Sequence, residues 1–122
     1  MYSERLLDHF QNPRNTGQME KPDVIVTQEN PVCGDVLELS VRSDHDQIAQ
    51  IRFRAKGCVP AVACGSAITE LAQGKMLAEI TNLTRENLIE YVGGLPAASS
   101  HAAQLAIDAL HQALEKISSN RA

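Results

Sequence analysis

The length of 122 residues predicts one domain spanning residues 1–122, large enough to bury a core without disulfides as supports. A formal net charge of −4 and the lack of any run of Lys or Arg argue against a nucleic-acid-binding surface. No apolar run reaches the length of a membrane span and the first residues do not read as a secretory signal. We therefore expect a cytoplasmic protein without a membrane partner.

The first half of the chain predicts one helix followed by a three-stranded antiparallel sheet. Ser3 suits the cap of a helix that Asn12-Pro13 ends, with Leu6, Leu7 and Phe10 on one face. Alternation of apolar and polar residues then predicts three strands, and a turn over residues 43–46 joins the last two as a hairpin. The residues predicted to face the core are Val24 and Val26, then Leu37, Leu39 and Val41, then Ala49, Ile51, Phe53 and Ala55.

The second half predicts helices separated by Gly and Pro. Pro60 suits the first turn of a helix that reaches about Gln73 and stops at Gly74. A short helix over residues 77–80 and another over 84–92 follow. The last helix begins near Ser99 or Ser100, and this start places His101 in its first turn.

The hairpin brings residues together that are far apart in the sequence. Asp35 begins the second strand and Cys58 follows the end of the third, so both lie at the same edge of the sheet. Cys33 belongs to the turn just before Asp35 and is therefore a predicted neighbour of Cys58. Because Cys58 precedes a helix N-terminus, we expect the helix dipole to lower the pKa of its thiol.

The candidate functional residues are Cys33, Asp35, Cys58 and His101, with Cys64 as an additional thiol. Thiolates, an imidazole and a carboxylate are ligands that hold zinc, and thiolates also hold iron–sulfur clusters. Three cysteines are too few for a disulfide framework in a reducing compartment, which favours metal or thiol chemistry. No C-x-x-C pair is present, and each cysteine taken alone is more often a small buried apolar side chain than a ligand.

Ordered motifs along essentially the whole chain identify a resemblance to the iron–sulfur cluster assembly scaffold family of the IscU and NifU N-terminal type. The resemblance implies an α+β fold, with a three-stranded antiparallel sheet covered on one face by helices and a long C-terminal helix. The motifs are Tyr2-Ser3, Asp8-His9-Phe10, Asn12-Pro13-Arg14-Asn15, Gly17, Cys33-Gly34-Asp35, Gly57-Cys58, Thr69-Glu70, Gly74-Lys75 and Asp108-Ala109.

The resemblance also implies a function. In this family a cysteine desulfurase delivers sulfur as a persulfide, iron enters, and a transient [2Fe-2S] cluster passes to acceptor proteins, while zinc often occupies the same site. Carried onto this sequence, the resemblance implies that Cys33 and Cys58 are ligands, that Asp35 keeps the cluster labile, and that His101 is a ligand or a helper. No catalytic residue is expected.

The chain departs from the family pattern at two places. The third family cysteine directly follows the His, but Ala102 stands there and cannot coordinate a metal. Cys64 lies one turn beyond the predicted helix start, so it either replaces the missing thiolate or packs in the core. The stretch Leu95-Pro96-Ala97-Ala98-Ser99 differs from the family's Leu-Pro-Pro-Val-Lys, which argues against chaperone docking. The insertion of the zinc-dependent sulfur-acceptor branch is also absent.

Two alternatives to a scaffold remain open from the sequence. The loss of the third cysteine suits a degenerate paralogue with a structural zinc site or a regulatory role in cluster assembly. A thiol enzyme with Cys58 as nucleophile and His101 as base is the other alternative. Among the remaining polar residues, His9 is predicted to be structural, and Arg14 either braces its loop or contacts a partner.

Overall fold

The structure is a computed structural model that describes residues 2–120. Its elements follow the sequence periodicity closely, and a short 3-10 turn, Ala97–Ser99, precedes the last helix. In chain order they are α1 (Glu4–Gln11), β1 (Val24–Asn30), β2 (Asp35–Asp44), β3 (Gln47–Lys56), α2 (Val59–Ala72), α3 (Leu77–Ile80), α4 (Arg85–Tyr91) and α5 (Ser100–Asn120). No helix within residues 2–120 is long and apolar enough to cross a membrane.

The three strands form one antiparallel sheet in the order β1-β2-β3, with β2 in the centre. His45 and Asp46 join β2 to β3 with φ angles of 51° and 64°. Two successive left-handed residues make a two-residue hairpin turn whose twist matches that of the strands. The predicted α+β architecture is therefore confirmed, including the hairpin that brings the ends of β2 and β3 together.

One predicted inward position of β3 is wrong. The pairing register shifts between Arg42 and Ser43, because Arg42 pairs with Gln50 while Ser43 pairs with Ile48. Ala49 is the extra residue of this bulge and is exposed, whereas Ile48 is fully buried. A β-bulge changes which side of the sheet the residues beyond it face, so a strict two-residue period fails at this point.

Helix α2 packs against the sheet and is buried on most of its surface. Its small residues let the helix backbone approach the sheet closely. A Cβ added at Gly65 would lie 2.7 Å from Cδ2 of Phe53, closer than the packed core permits. Helix α5 covers the rest of the sheet, and its predicted core residues are buried, namely Ala103, Ala106, Leu110, Ala113 and Ile117.

Helix α1 begins as predicted, because the Ser3 side chain accepts a hydrogen bond from the amide of Leu6 at 3.0 Å. Its apolar face is narrower than predicted. Leu6 is fully buried, but Leu7 and Phe10 remain 37% and 38% exposed. The helix is therefore held by Leu6 and by the polar contacts of its last turn.

His9 supplies the main polar contact between α1 and α2. Its Nδ1 lies 2.8 Å from the Ser66 hydroxyl and its Nε2 lies 3.5 Å from a carboxylate oxygen of Glu70. The ring is 2% exposed and packs against Tyr91 with centroids 6.0 Å apart. Burial lowers the pKa of His9 below its usual value, assisted by the charge of Arg14. His9 is thus a structural residue, in agreement with the sequence interpretation.

We expect the stability of the protein to fall as the pH drops below about 6.5, the pKa of an unfolded histidine. A lowered pKa in the folded state means that protons bind the unfolded chain more strongly, so His9 favours folding fully only above that pH. The contribution changes by at most about 1.4 kcal/mol per pH unit. Urea unfolding at pH 7.5 and 5.5 measures it, and the His9→Gln variant should lose part of the pH dependence. An unchanged dependence in this variant would contradict the assignment.

Candidate metal centre

The sequence-predicted donors come from four separate elements that meet at one end of the sheet. Asp35 is the first residue of β2, and Cys33 lies in the turn between β1 and β2. Cys58 caps the N-terminus of α2 directly after β3. His101 stands in the first turn of α5. The hairpin and the two helix starts therefore converge as the sequence predicts.

Three of these side chains form a compact group in which the ligand atoms of Cys33, Asp35 and His101 all lie within 4.8 Å of one another. The Nε2 atom of His101 is 3.6 Å from the Sγ of Cys33 and 3.6 Å from Oδ2 of Asp35. The Asp35 side chain is 2% exposed and that of His101 is 33% exposed. The group is thus open to solvent on the thiol and imidazole side and closed behind the carboxylate.

Cys58 joins this group through Asp35. The backbone N–H of Cys58 donates to Oδ1 of Asp35 at 3.0 Å, and its thiol donates to Oδ2 at 3.4 Å. A buried carboxylate needs such donors, because an unpaired charge in the interior is costly. Asp35 therefore stands between the two candidate thiol ligands and holds the loop after β3 against the start of β2.

Cys33, Asp35 and His101 are spaced as ligands of one metal ion would be. Zinc–sulfur and zinc–nitrogen bonds of about 2.0–2.3 Å place neighbouring donors of a tetrahedron roughly 3.3–3.8 Å apart. The Cys33–His101 and Asp35–His101 separations of 3.6 Å and the Cys58–Asp35 separation of 3.4 Å fall in this interval, whereas the thiol of Cys58 lies outside the group of ligand atoms within 4.8 Å of one another. Two thiols also suit iron, since thiolates are the usual ligands of iron–sulfur clusters.

A backbone carbonyl determines which nitrogen of His101 faces the group. Nδ1 of the ring lies 3.1 Å from the carbonyl oxygen of Ala98. A carbonyl only accepts, so Nδ1 carries a proton, and Nε2 is the nitrogen that faces Cys33 and Asp35. This arrangement is the one that orients a histidine for metal binding.

The expectation that the helix dipole lowers the pKa of Cys58 is wrong. Burial around the thiol raises its pKa, and the hydrogen bond and negative charge of Asp35 raise it further. Backbone N–H groups at the start of α2 act in the opposite direction but are outweighed. Without a metal the thiol of Cys58 therefore retains its proton, and metal binding must displace it.

The structure does not bring Cys64 to this group. Cys64 is fully buried in the core formed by α2 and the sheet, and burial raises its pKa to about 12. It is a free thiol, as are Cys33 and Cys58. Ala102 also packs in the core at 1% exposure and offers no donor. Core packing, the simpler of the two readings, accounts for Cys64.

Replacing Cys64 by Ala should leave metal binding unchanged, because the thiol lies in the core and remains protonated. The lost sulfur leaves a small cavity and should lower the free energy of unfolding by about 1 kcal/mol. Metal analysis and urea unfolding of the variant measure the two effects. A loss of bound metal at preserved stability would instead place Cys64 among the ligands.

The Cys58–His101 pair expected of a thiol enzyme is not formed among the described residues, since Nε2 of His101 contacts Cys33 and Asp35.

Arg14 contacts Asp8 at 2.6 Å and Glu70 at 3.7 Å. These contacts brace its loop against α1 and α2. The bracing role considered for Arg14 is therefore the one that the contacts support.

Two features of the centre escaped the sequence analysis. Gly57 has a φ of +145°, and a Cβ at this position would lie 2.1 Å from Oδ1 of Asp35. Its place between a strand and a candidate ligand was the available signal. Val32 is 91% exposed beside Cys33. An apolar side chain left in solvent next to a candidate ligand has no folding role.

One family profile and several known proteins are similar to this chain over most of its length. The family profile described as the NifU-like N terminal domain matches residues 1–122. The iron-sulfur cluster assembly scaffold protein IscU 1 of Archaeoglobus fulgidus is 43% identical over 114 residues, which cover 93% of this chain and 74% of that protein. The iron-sulfur cluster assembly scaffold protein IscU of Aquifex aeolicus is 38% identical over 116 residues, with coverages of 93% and 74%.

A solved structure supports the fold. The NifU-like protein (N-terminal) from Brucella abortus superposes with a TM-score of 0.81 at 16% identity, covering 96% of this chain and 94% of that one. At this identity the likeness concerns the architecture, which is the same sheet and helix arrangement described above.

Proposed function

Because this chain belongs to the family of NifU-like N-terminal domains, we propose that it is a scaffold on which iron–sulfur clusters are assembled and from which they pass to acceptor proteins. The resemblance seen in the sequence motifs is confirmed by the profile match and by relatives at 38% and 43% identity. In this proposal residues 1–122 act as one scaffold domain.

The observation that supports the proposal is that three candidate ligands form one group and that a fourth, Cys58, contacts the carboxylate of that group. Cys33, Asp35 and His101 lie within 4.8 Å of one another, and Cys58 is bonded to the carboxylate of Asp35. We assign these four residues as the ligands of the iron–sulfur cargo. Two thiolates, one imidazole and one carboxylate supply four donors without a third cysteine.

The mixed donor set suits a cluster that must leave again. Thiolates hold iron more firmly than a carboxylate oxygen does, so Asp35 is the weakest donor of the four. Asp35 can let go of iron while keeping its hydrogen bond from the Cys58 amide, which preserves the shape of the loop. Release through this residue supports transfer rather than storage of the cluster.

The cargo in this proposal is a transient [2Fe-2S] cluster, and zinc competes for the same donors. A scaffold of this kind needs a cysteine desulfurase as the source of sulfur and apo-proteins as acceptors. The stretch Leu95-Pro96-Ala97-Ala98-Ser99 argues against a dedicated chaperone. The chain is proposed to hold and pass the cluster without turning over a substrate of its own.

Anaerobic reconstitution of the purified, metal-free protein with ferrous iron and sulfide tests the proposal. We expect visible absorbance of a [2Fe-2S] cluster that moves to an apo-ferredoxin on mixing, and no such absorbance in the Cys33→Ser/Cys58→Ser variant. Cys64→Ala is the matched control, because it removes a thiol that lies outside the centre. A protein that holds one zinc tightly and never takes up iron and sulfide would refute the proposal and favour a structural zinc site.

A further inference from the structure

A basic surface lies on the outer side of the β2–β3 hairpin, away from the helices. Along both strands the outward positions alternate with buried core residues. On the outer side Ser40 pairs with Arg52 and Glu38 pairs with Arg54. Four cationic side chains share this side and are called the basic face below, namely Arg42, Arg52, Arg54 and Lys56.

Two carboxylates on the outer side of the sheet partly neutralise the basic face, namely Glu38 of the hairpin and the exposed Glu29 of β1, which pairs with Val36. Glu38 accepts from Nε and Nη2 of Arg54, both at 3.1 Å. Lys56 is exposed and forms no ion pair within residues 2–120. Among residues 2–120, Arg54 is thus the one cation of the four that forms an ion pair.

The loop before β1 orients two of these cations without cancelling their charge. Nη2 of Arg42 donates to the carbonyl of Lys21 at 3.3 Å, and Nη1 of Arg52 donates to the carbonyl of Thr16 at 3.4 Å. A carbonyl is a neutral acceptor, so the guanidinium groups stay cationic while losing some freedom of movement. Pre-ordered side chains lose less entropy when a partner binds.

The basic face stands out against the charge of the whole chain. Setting its four cations, Glu38 and Glu29 aside from the 11 basic and 15 acidic side chains leaves 7 basic and 13 acidic ones. An outer face of net charge +2 thus belongs to a molecule whose remainder has a net charge of −6. Such segregation steers an oppositely charged partner to one orientation during association.

The basic face ends beside the metal centre. Lys56 pairs with Val36, the residue next to Asp35, and is followed in the chain by Gly57 and Cys58. A partner bound to the outer side of the hairpin therefore reaches Asp35 and Cys58, the two candidate ligands at this end of the hairpin.

We propose that the basic face docks an acidic protein surface, that of the acceptor which takes the cluster from the metal centre. The identity of the cargo rests on the proposed function, whereas the docking rests on the charges described above. A protein with a localised acidic patch fits better than a nucleic acid. An extended polyanion would also meet the acidic remainder of this chain and be repelled.

Binding of an apo-ferredoxin with a strongly acidic surface tests the proposal. Fluorescence anisotropy with labelled apo-ferredoxin and the cluster-free scaffold gives the Kd at about 20 mM and about 300 mM salt, where the Debye length falls from about 20 Å to below 8 Å. For Arg52→Glu/Lys56→Glu we expect a Kd raised at least about tenfold at low salt and little difference at high salt. Lys56→Glu alone, at an exposed position without ion pairs in the described chain, should raise the Kd about threefold.

A matched control variant separates the effect of the basic face on the Kd from the effect of the chain's net charge. Lys75→Glu/Arg85→Glu makes the same charge change at exposed positions outside the hairpin and should alter the Kd by less than about twofold. Both double variants should take up iron and sulfide like the unmodified protein, because none of the four residues belongs to the metal centre. Urea unfolding of each variant excludes a loss of fold as the cause.

The outcomes separate this inference from the proposed function. Equal weakening of apo-ferredoxin binding in the two double variants would overturn the docking surface, and so would a short DNA duplex that binds the face as tightly. If the unmodified protein takes up no iron and sulfide but binding depends on Arg52 and Lys56, the docking surface stands and the scaffold function fails. If the cluster forms but its transfer to apo-ferredoxin is equally fast in both variants, the docking surface is refuted.

Discussion

Replacing Cys33 or Cys58 by Ser is expected to abolish cluster assembly and to weaken zinc binding on the order of 100-fold. The proposed centre has four donors, of which Cys33, Asp35 and His101 form one group and Cys58 contacts Asp35, and each substitution leaves three donors with a single thiolate. A hydroxyl remains protonated at neutral pH and is a poor ligand for iron and zinc. Absorbance after anaerobic reconstitution and competition against a zinc chelator measure the two effects.

The two substitutions should differ in their effect on stability. Cys33 lies in an exposed turn, so its replacement should change the free energy of unfolding by less than about 0.5 kcal/mol. The hydroxyl of Cys58→Ser can still donate to Asp35, so the local structure should survive there as well. Loss of the cluster in a folded protein identifies ligands. If either single variant still assembled a full cluster, the four-donor centre would be wrong.

The sequence predicts the fold well because most of the patterns that determine its helices and strands involve residues close together in the chain. The alternation of Leu37, Leu39 and Val41 and the cap at Ser3 act within a few residues, and the structure follows them. Local sequence patterns do not predict the bulge at Ala49. It depends on how β3 meets the neighbouring strand and the chain around Lys75, whose carbonyl accepts from the amide of Ile48.

The site is partly predictable for a different reason. A hairpin brings its two strand ends together whatever the side chains are, so the approach of Asp35 and Cys58 follows from topology. The raised pKa of Cys58 does not follow from it, because that depends on the direction of a buried carboxylate. The basic face was missed as well. Arg52, Arg54 and Lys56 alternate with apolar residues, and Arg42 joins them through the sheet register rather than through the sequence.

Gly57→Ala is expected to weaken metal binding about 10- to 100-fold although all four donors remain present. The added Cβ would lie 2.1 Å from Oδ1 and 2.8 Å from Cγ of Asp35, so the carboxylate has to turn away. That movement breaks the hydrogen bond from the Cys58 amide and displaces the oxygen donor from its position beside His101. Chelator competition gives the loss of affinity, and the rate of cluster decay should rise in parallel.

Backbone strain alone has to be separated from this steric effect, because Gly57 has a φ of +145° that disfavours any side chain. Gly34→Ala is the matched control at the centre, with a φ of +75° and no atom within 4 Å of the added Cβ. Gly74→Ala, with a φ of +81° and the same open space, is the control outside the centre. All three variants should lose roughly 1 kcal/mol or more of stability.

The comparison of metal affinities among these three variants decides the role of Asp35. If Gly57→Ala weakens zinc binding while Gly34→Ala and Gly74→Ala do not, the position of the carboxylate is what the centre requires. If Gly34→Ala has the same effect, strain in the turn around Cys33 explains the loss. If Gly57→Ala binds zinc as tightly as the unmodified protein, Asp35 is not a ligand and serves only to hold the loop after β3.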